Sequence, residues 1–340
     1  MSSEIFSLLG DIEREKGISR TVVLEALESA LISAYKRNFG ATQNIGVRFN
    51  EETGAIKIYA QKTVVEEVSM PDDEITLEEA QVISKNHSLG DIVEFEVTPS
   101  DFGRIAAQTA RQVVLQRIRE AEREKVYGEV SEKANEIVNA VVRRVDSRNV
   151  ILEIGDLESI LMPNEQSKLD RYSPGDRVKV YVTEVANSVR GVHMLVSRSH
   201  PMLVRKLFEL EVPEIDDGII EIKGLTREAG SRTKIAVESN DSDVDAVGTC
   251  IGARGMRVQS VIDELRGEKI DIVRYSDDPA EFVTNALSPA KVTNAEVDRE
   301  AKICKVIVPE DQLSLAIGRE GQNARLASRL TNWKIDIKGE

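Results

Sequence analysis

Aromatic residues are scarce in this chain. They make up 4% of its 340 residues, so any core must be built from Val, Ile, Leu and Ala. Cysteine and histidine are rarer still. Cys250 and Cys304, taken with His87, His193 and His200, form no metal-ligand spacing; a structural zinc site needs four ligands at recognisable intervals. Two cysteines in a chain of this length point to a reducing compartment. No stretch approaches the ~20 apolar residues of a membrane span, and the opening MSSEIFSLLGDIEREKG lacks the apolar core of a secretion signal. A soluble cytoplasmic protein is expected. Nucleotide loops are missing as well: there is no G-x-x-x-x-G-K-[ST], and no G-x-G-x-x-G after a strand. Two-metal phosphodiester hydrolysis wants clustered carboxylates, and the carboxylates here have no His or Asn set around them. The expectation is no enzyme, no metal and no cofactor.

An excess of basic charge is also lacking. The net charge is -14, whereas nucleic-acid binders are usually basic. The acidity is local, however. Residues 66–101 hold eleven acidic side chains against the single base Lys85, which is ten of the fourteen net negative charges. Such a block is either a solvated surface or a protein-docking face that repels stray nucleic acid.

What is present falls into blocks. SRTVVLEALESALISAYKR places Val22, Val23, Ala26, Leu27, Ala30, Leu31 and Ala34 on one helical stripe, with Ser19 as N-cap. GVRFNEETGAIKIYAQKTVVEEV reads as a hairpin with a Thr-Gly turn, and SLGDIVEFEVTPSDFG as another extended piece. RIAAQTARQVVLQRIREAEREK is a long helix. Arg104 and Arg111, seven apart, share a face of it, either as plain solvated charge or as a basic strip beside an RNA path. A boundary is expected near Gly128. Five short β runs follow (NEIVNAVVRRVD, NVILEIGD, ESILM, RVKVYVTEVA and HMLVSRS), separated by the turns PNEQ and YSPGD. They suit a small closed barrel of the oligonucleotide-binding kind. Such barrels stack bases on aromatics; this one offers only Tyr172, Tyr181 and His193, and packing or a turn role accounts for each.

The remainder is written twice. Each copy reads helix, strand, strand, short helix, glycine loop, helix, strand. KIDI opens the final strand at 269 and again at 334, and the loop glycines are offset by 66, from Gly252 to Gly318 and from Gly255 to Gly321. In the first copy a helix ends at Ile251 and another begins at about Met256. Glycine permits backbone angles closed to other residues and removes side chains that would hold a ligand away. The next helix start offers free N–H groups and the positive end of its dipole, which attract phosphate. Alone, a G-x-x-G is as well explained as a plain helix–helix turn. Set between two helices, flanked by strands and repeated, it resembles the KH module, whose loop clamps the backbone of about four nucleotides. The helix-first order matches the bacterial, type II form. The candidate RNA contacts are Gly252, Ala253, Arg254, Gly255 and Arg257 in the first copy, and Gly318, Arg319, Glu320, Gly321, Asn323 and Arg325 in the second. Glu320 stands where a phosphate should approach, with Asn323 and Arg325 as partial compensation. Cys250 is expected to be a small buried helix residue.

The strings VLEALESALISAYK, FGRIAAQTARQVVLQRIREAERE, SRSHPMLVRKLFELEVPEI, GLTREAGSRTKIAV, VGTCIGARGMRVQSVIDELRGEKIDIV and AIGREGQNARLASRL, in this order, resemble the bacterial NusA family across all 340 residues. The resemblance implies a multidomain α+β chain: a helical and β N-terminal domain (1–128), an S1 barrel of the OB type (129–200) and two tandem type II KH domains (201–277 and 278–340). It implies binding to RNA polymerase near the flap of the β subunit, and to emerging single-stranded RNA. It also implies a part in pausing, intrinsic termination and antitermination, the last with other Nus factors. On the same resemblance, Arg37, Arg104 and Arg111 face nascent RNA, and the acidic segment belongs to the polymerase-docking domain. The C-terminal acidic repeats that some relatives carry do not follow the second KH strand here, so RNA binding is expected to be constitutive. The rival readings are a ribosome-associated or RNA-maturation KH protein working without polymerase, and the non-catalytic half of an RNA-degrading enzyme. In the latter, KH precedes S1 behind a catalytic core, which is missing here.

Overall fold

The computed structural model describes residues 13–14, 18–40, 44–50, 53, 55–188 and 191–340. Most of the opening segment read for a secretion signal, and Gly54 of the Thr-Gly turn, lie outside them. The chain divides into two compact units between Val126 and Tyr127.

In the first unit, helix α1 (Arg20–Phe39) buries Val23, Leu27, Leu31, Ala34 and Tyr35. The buried face is turned slightly from the expected stripe, leaving Val22 exposed. Ser19 is the N-cap by position, but its side chain accepts no capping hydrogen bond, and Gly40 ends the helix in the left-handed conformation. Strands β1 (Ile45–Phe49) and β2 (Ile56–Val65) form the expected antiparallel hairpin, Ile45 opposite Ala60 and Phe49 opposite Ile56. The short strand β3 (Glu74–Thr76) runs parallel to the end of β2. A capping box then starts helix α2 (Leu77–Ile83), in which Thr76 and Glu79 satisfy each other's backbone N–H. Strand β4 (Ile92–Glu96) pairs antiparallel with β2. Leu27, Leu31, Ile45, Ile58, Phe102, Ala106 and Ala110 knit α1, the sheet and the following long helix into one core.

That helix, α3 (Phe102–Ser131), is continuous through Gly128, so the expected boundary falls inside a helix. The cost of glycine there, about 1 kcal/mol, is too small to stop a chain of good helix formers on both sides.

The second unit begins with the barrel: β5 (Ile137–Asp146), β6 (Asn149–Ile154), β7 (Leu157–Leu161), β8 (Arg177–Ser188) and β9 (Gly191–Ser197). The sheet order is β7-β6-β5-β8-β9, and β7 comes back beside β9 so that the sheet nearly closes. This is the S1 OB-type fold. Its interior is aliphatic, as the scarcity of aromatics demands: Val142, Leu152, Leu161, Val180, Val182 and Met194 are among its buried residues.

The two repeats follow. The first comprises α4 (Pro201–Glu211), α5 (Pro213–Asp216), β10 (Ile220–Glu228), β11 (Arg232–Ser239), α6 (Ala246–Ile251), α7 (Met256–Glu264) and β12 (Lys269–Arg274). The second comprises α8 (Pro279–Ala286), β13 (Asn294–Asp298), β14 (Ile303–Val308), α9 (Glu310–Ile317), α10 (Gln322–Thr331) and β15 (Lys334–Gly339). In each, two antiparallel strands are joined by a parallel third, and that third strand begins with KIDI; Lys269 lies opposite Arg232, and Lys334 opposite Ile303. Helices cover one face of each sheet. Cys250 and Cys304 are wholly buried in these cores, as expected for Cys250.

Polar joints lock the modules of this unit together. At the barrel–KH junction Arg198 is buried and spends all five N–H groups: on both oxygens of Asp170, the carbonyl of Lys179, and the carbonyl and carboxylate of Glu264. Between the two KH domains, the buried Lys234 ammonium donates to Asp271 and to the carbonyl of Ser288. Arg325 pairs with Glu228 at 2.8 Å. Leu330 packs over Gly224, where an added Cβ would come within 3.1 Å of its Cδ1.

Candidate nucleic-acid interface

Each glycine loop grows from a short helix that turns left-handed at its end. Gly252 has φ 77° and ψ 171°, and Gly318 φ 76° and ψ 170°. A single tight turn follows, with Arg254 at φ 54° and ψ 25°, and Glu320 at φ 54° and ψ 27°. Gly255 (φ 77°, ψ 12°) and Gly321 (φ 73°, ψ 14°) then lead into α7 and α10. The two loops thus share one backbone conformation built from different sequences. Positive φ at the first, third and fourth residues of each loop accounts for the two glycines and their spacing.

The glycines do different work. A Cβ on Gly252 would lie 2.8 Å from Cγ of Arg257, and one on Gly318 would lie 2.8 Å from the backbone nitrogen of Asn323. A Cβ on Gly255 or Gly321 would meet nothing within 4 Å. The first glycine lets the loop close on the helix behind it. The second keeps the outer surface bare where another backbone can approach. No side chain caps α7 or α10, so both helix starts keep their N–H groups and positive dipole ends for an anion.

The side chains sort into two groups. Arg254 is exposed and makes no ion pair with the described residues. Arg319 and Glu320 are 93% and 84% exposed and only 3.9 Å apart. Ala253 is exposed at the turn. These are exposed at the turn. Arg257 and Asn323 are not. Arg257 binds the Glu214 carboxylate at 3.0 Å and the Thr249 carbonyl at 3.0 Å. Asn323 is 3% exposed and donates to the carbonyls of Leu287 and Ala316 at 3.0 and 3.1 Å. Both occupy the same repeat position and brace the loop from beneath, tying it to the preceding helix and, respectively, to α5 and to the end of α8. Asn323, expected among the RNA contacts, is thus held inside the fold by its amide NH2, while its Oδ1 is buried without a hydrogen-bond partner among the described residues. Arg257 is likewise held as a brace. Arg325 is half exposed, shared between Glu228 and the carbonyl of Glu320. Together with Gln322 it holds the Glu228 carboxyl below its usual range.

Two residues that glycine spacing does not single out stand beside the loops. Ile251 and Ile317, each directly before the first glycine, are both 38% exposed. They offer an apolar surface beside each glycine loop. Their matched place in the repeat was the available signal.

In the barrel, Tyr181 is buried and stacked on His200 at 4.8 Å, Tyr172 donates to Asp170, and His193 meets the Ser188 hydroxyl. Packing, not base stacking, occupies the two tyrosines.

In the first unit, Arg37 lies in the last turn of α1, Arg104 in the first turn of α3 and Arg111 two turns further on; all three are exposed. Tyr35 and Phe39 pack against Phe102 at 5.8 and 6.3 Å between ring centroids, which brings Arg37 and Arg104 to the same end of the helix pair. The acidic segment carries exposed apolar side chains among its carboxylates: Met70, Ile83, Leu89, Ile92 and Val82, the last 87% exposed. Among the described residues no group of acidic, His or Cys side chains could hold a metal ion, and no helix is long and apolar enough to cross a membrane.

Family profiles match this architecture piece by piece. The NusA N-terminal domain matches residues 4–124, the NusA-like first KH domain 198–275 and the NusA-like second KH domain 279–340. The transcription termination/antitermination protein NusA of Bacillus subtilis is 54% identical over the whole chain, which spans 92% of that protein. The chain belongs to the NusA family. The Halalkalibacterium halodurans NusA is 52% identical, again over all 340 residues and 89% of its own length. The solution structure of the N-terminal domain of Bacillus subtilis NusA is 59% identical over 36% of this chain and 99% of that one, with a TM-score of 0.34. The matched NusA KH regions hold both glycine loops, and the NusA N-terminal match holds Arg37, Arg104 and Arg111.

Proposed function

We propose that this chain is a cytoplasmic transcription factor that acts in termination and antitermination by holding emerging single-stranded RNA while bound to RNA polymerase. The observation that carries this is the pair of identical loop backbones, each with a bare second glycine opening onto an uncapped helix. The first unit docks on the polymerase, at the flap of the β subunit, through the acidic segment with its exposed apolar side chains, while Arg37, Arg104 and Arg111 face the transcript. Other Nus factors join it in antitermination. The working parts are residues 1–128, the barrel 129–200 and the KH domains 201–277 and 278–340. No catalytic step is assigned to any of them.

Tethering accounts for the charge. Phosphate neutralisation supplies most nonspecific affinity for nucleic acid, so a free protein of net charge -14 binds stray RNA poorly. Once docked, the KH pair meets the transcript at high effective concentration, and modest affinity suffices. The test is Gly255→Asp combined with Gly321→Asp. Neither position is crowded, and each change puts a carboxylate where a phosphate must sit. RNA binding, measured by fluorescence anisotropy, should be lost while pull-down of polymerase is unchanged. Retained RNA affinity, or failure to bind polymerase at all, overturns the reading.

A further inference from the structure

The second loop differs from the first in what stands opposite it. A polar cleft of about 550 Å3 is lined on one side by Arg319, Glu320 and Gln322, and on the other by Asn164 and Lys168 of the barrel and Ser231 of the first KH domain. Its walls are fixed. At Gly230 (φ 71°) an added Cβ would come within 2.8 Å of the backbone nitrogen of Lys168, so the barrel segment and the β10–β11 turn touch backbone to backbone. Gln322 bridges from the second KH domain to Glu228 and Ser231, each at 2.7 Å. Three modules therefore meet around one space.

The charges around that space are not all spent. Glu228 is neutralised by Arg325. Lys168 is exposed and makes no ion pair with the described residues, and Arg319 has only the loose contact with Glu320. The unpaired Lys168 and the loosely paired Arg319 thus flank a cleft whose other walls carry hydroxyl and amide groups together with the carboxylates of Glu320 and of the Arg325-bound Glu228. Phosphate is the ligand that wants the former, and base or ribose edges the latter.

We infer that this cleft is a nucleotide subsite for the RNA strand leaving the second glycine loop, with Lys168 of the barrel completing the phosphate grip begun by Arg319. The inference rests on the reading of the loops as RNA clamps. It gives the barrel a place in RNA binding that its packed tyrosines do not.

The experiment is a salt titration of the full chain with a labelled single-stranded RNA of about a dozen nucleotides, long enough to pass both loops. Lys168→Ala should weaken binding severalfold and reduce the slope of log affinity against log salt by about 0.7, the share of one phosphate contact on a single strand. Lys168→Arg should restore both. If Lys168→Ala changes neither affinity nor slope while Gly255→Asp with Gly321→Asp abolishes binding, the subsite is refuted and the loops stand. If the glycine variants also leave binding intact, the loop reading fails, and the subsite with it.

Discussion

The two glycine loops reach one backbone by different means. Beneath the first, a long cation spans from Thr249 to Glu214; beneath the second, a short buried amide satisfies two carbonyls. The backbone angles at equivalent positions nevertheless agree to within 4°. The conformation is therefore what the fold requires, and the brace is one of several solutions to it. What differs on the outside is charge: one cation in GARG, a cation and an acid in GREG.

The sharpest break in the comparison is at the first glycines. Gly255→Ala and Gly321→Ala should cost only the ~1–2 kcal/mol of a left-handed L-residue. Gly318→Ala adds the contact with the backbone of Asn323, which cannot swing away, so a further ~1–3 kcal/mol for overpacking is expected. Urea unfolding of the second unit measures the difference; equal costs at Gly318 and Gly321 would mean that the loop does not close as described. Next come the braces. Asn323→Ala leaves the carbonyls of Leu287 and Ala316 buried without that donor and should cost about 1–3 kcal/mol. Arg257→Ala, at a half-exposed pair, should cost less, and amide exchange in α10 and α7 would report each separately.

Charge comes third. Glu320→Gln should tighten RNA binding, and Ala253→Glu should weaken it, each by the ~0.3–1 kcal/mol typical of a charge beside a helix start. Both effects should fade with salt; a Glu320→Gln protein that binds no better would show that this side chain already points away from the strand. The smallest effect is on pH. Arg325 and Gln322 hold the Glu228 carboxyl below its ordinary range, so its contribution to the joint is complete above the unfolded value of about 4.3. It is lost as pH falls through the lower folded value. Glu228→Gln should flatten this acid dependence, read from the unfolding midpoint between neutral pH and about pH 3.

Local patterns carried most of the fold. The hairpin, the five barrel strands and the doubled module are periodic, and the ends of the loop helices at Ile251 and Met256 fall where the glycines put them. The boundary expected near Gly128 lies within two residues of the division between Val126 and Tyr127, although the helix itself runs on through it. Spacing alone placed Asn323 and Arg257 among the RNA contacts because their partners, Leu287 and Glu214, are 36 and 43 residues away. Nothing local shows a side chain turning inward to a distant carbonyl. Arg198 escaped notice for the same reason: its five acceptors come from three separate stretches. The outward group of Arg254, Arg319 and Glu320 was legible because turn geometry alone decides its direction.

The joint between the KH domains has a consequence for which transcripts can be held. With Lys234 anchored under Ser288 and Leu330 seated on Gly224, the two grips cannot slide toward or away from each other. With both loops clamping RNA as proposed, the pair is a ruler laid along it: two short stretches are held together only when the intervening spacer matches a length set by protein, and a transcript with one base too few must stretch or let go of one end.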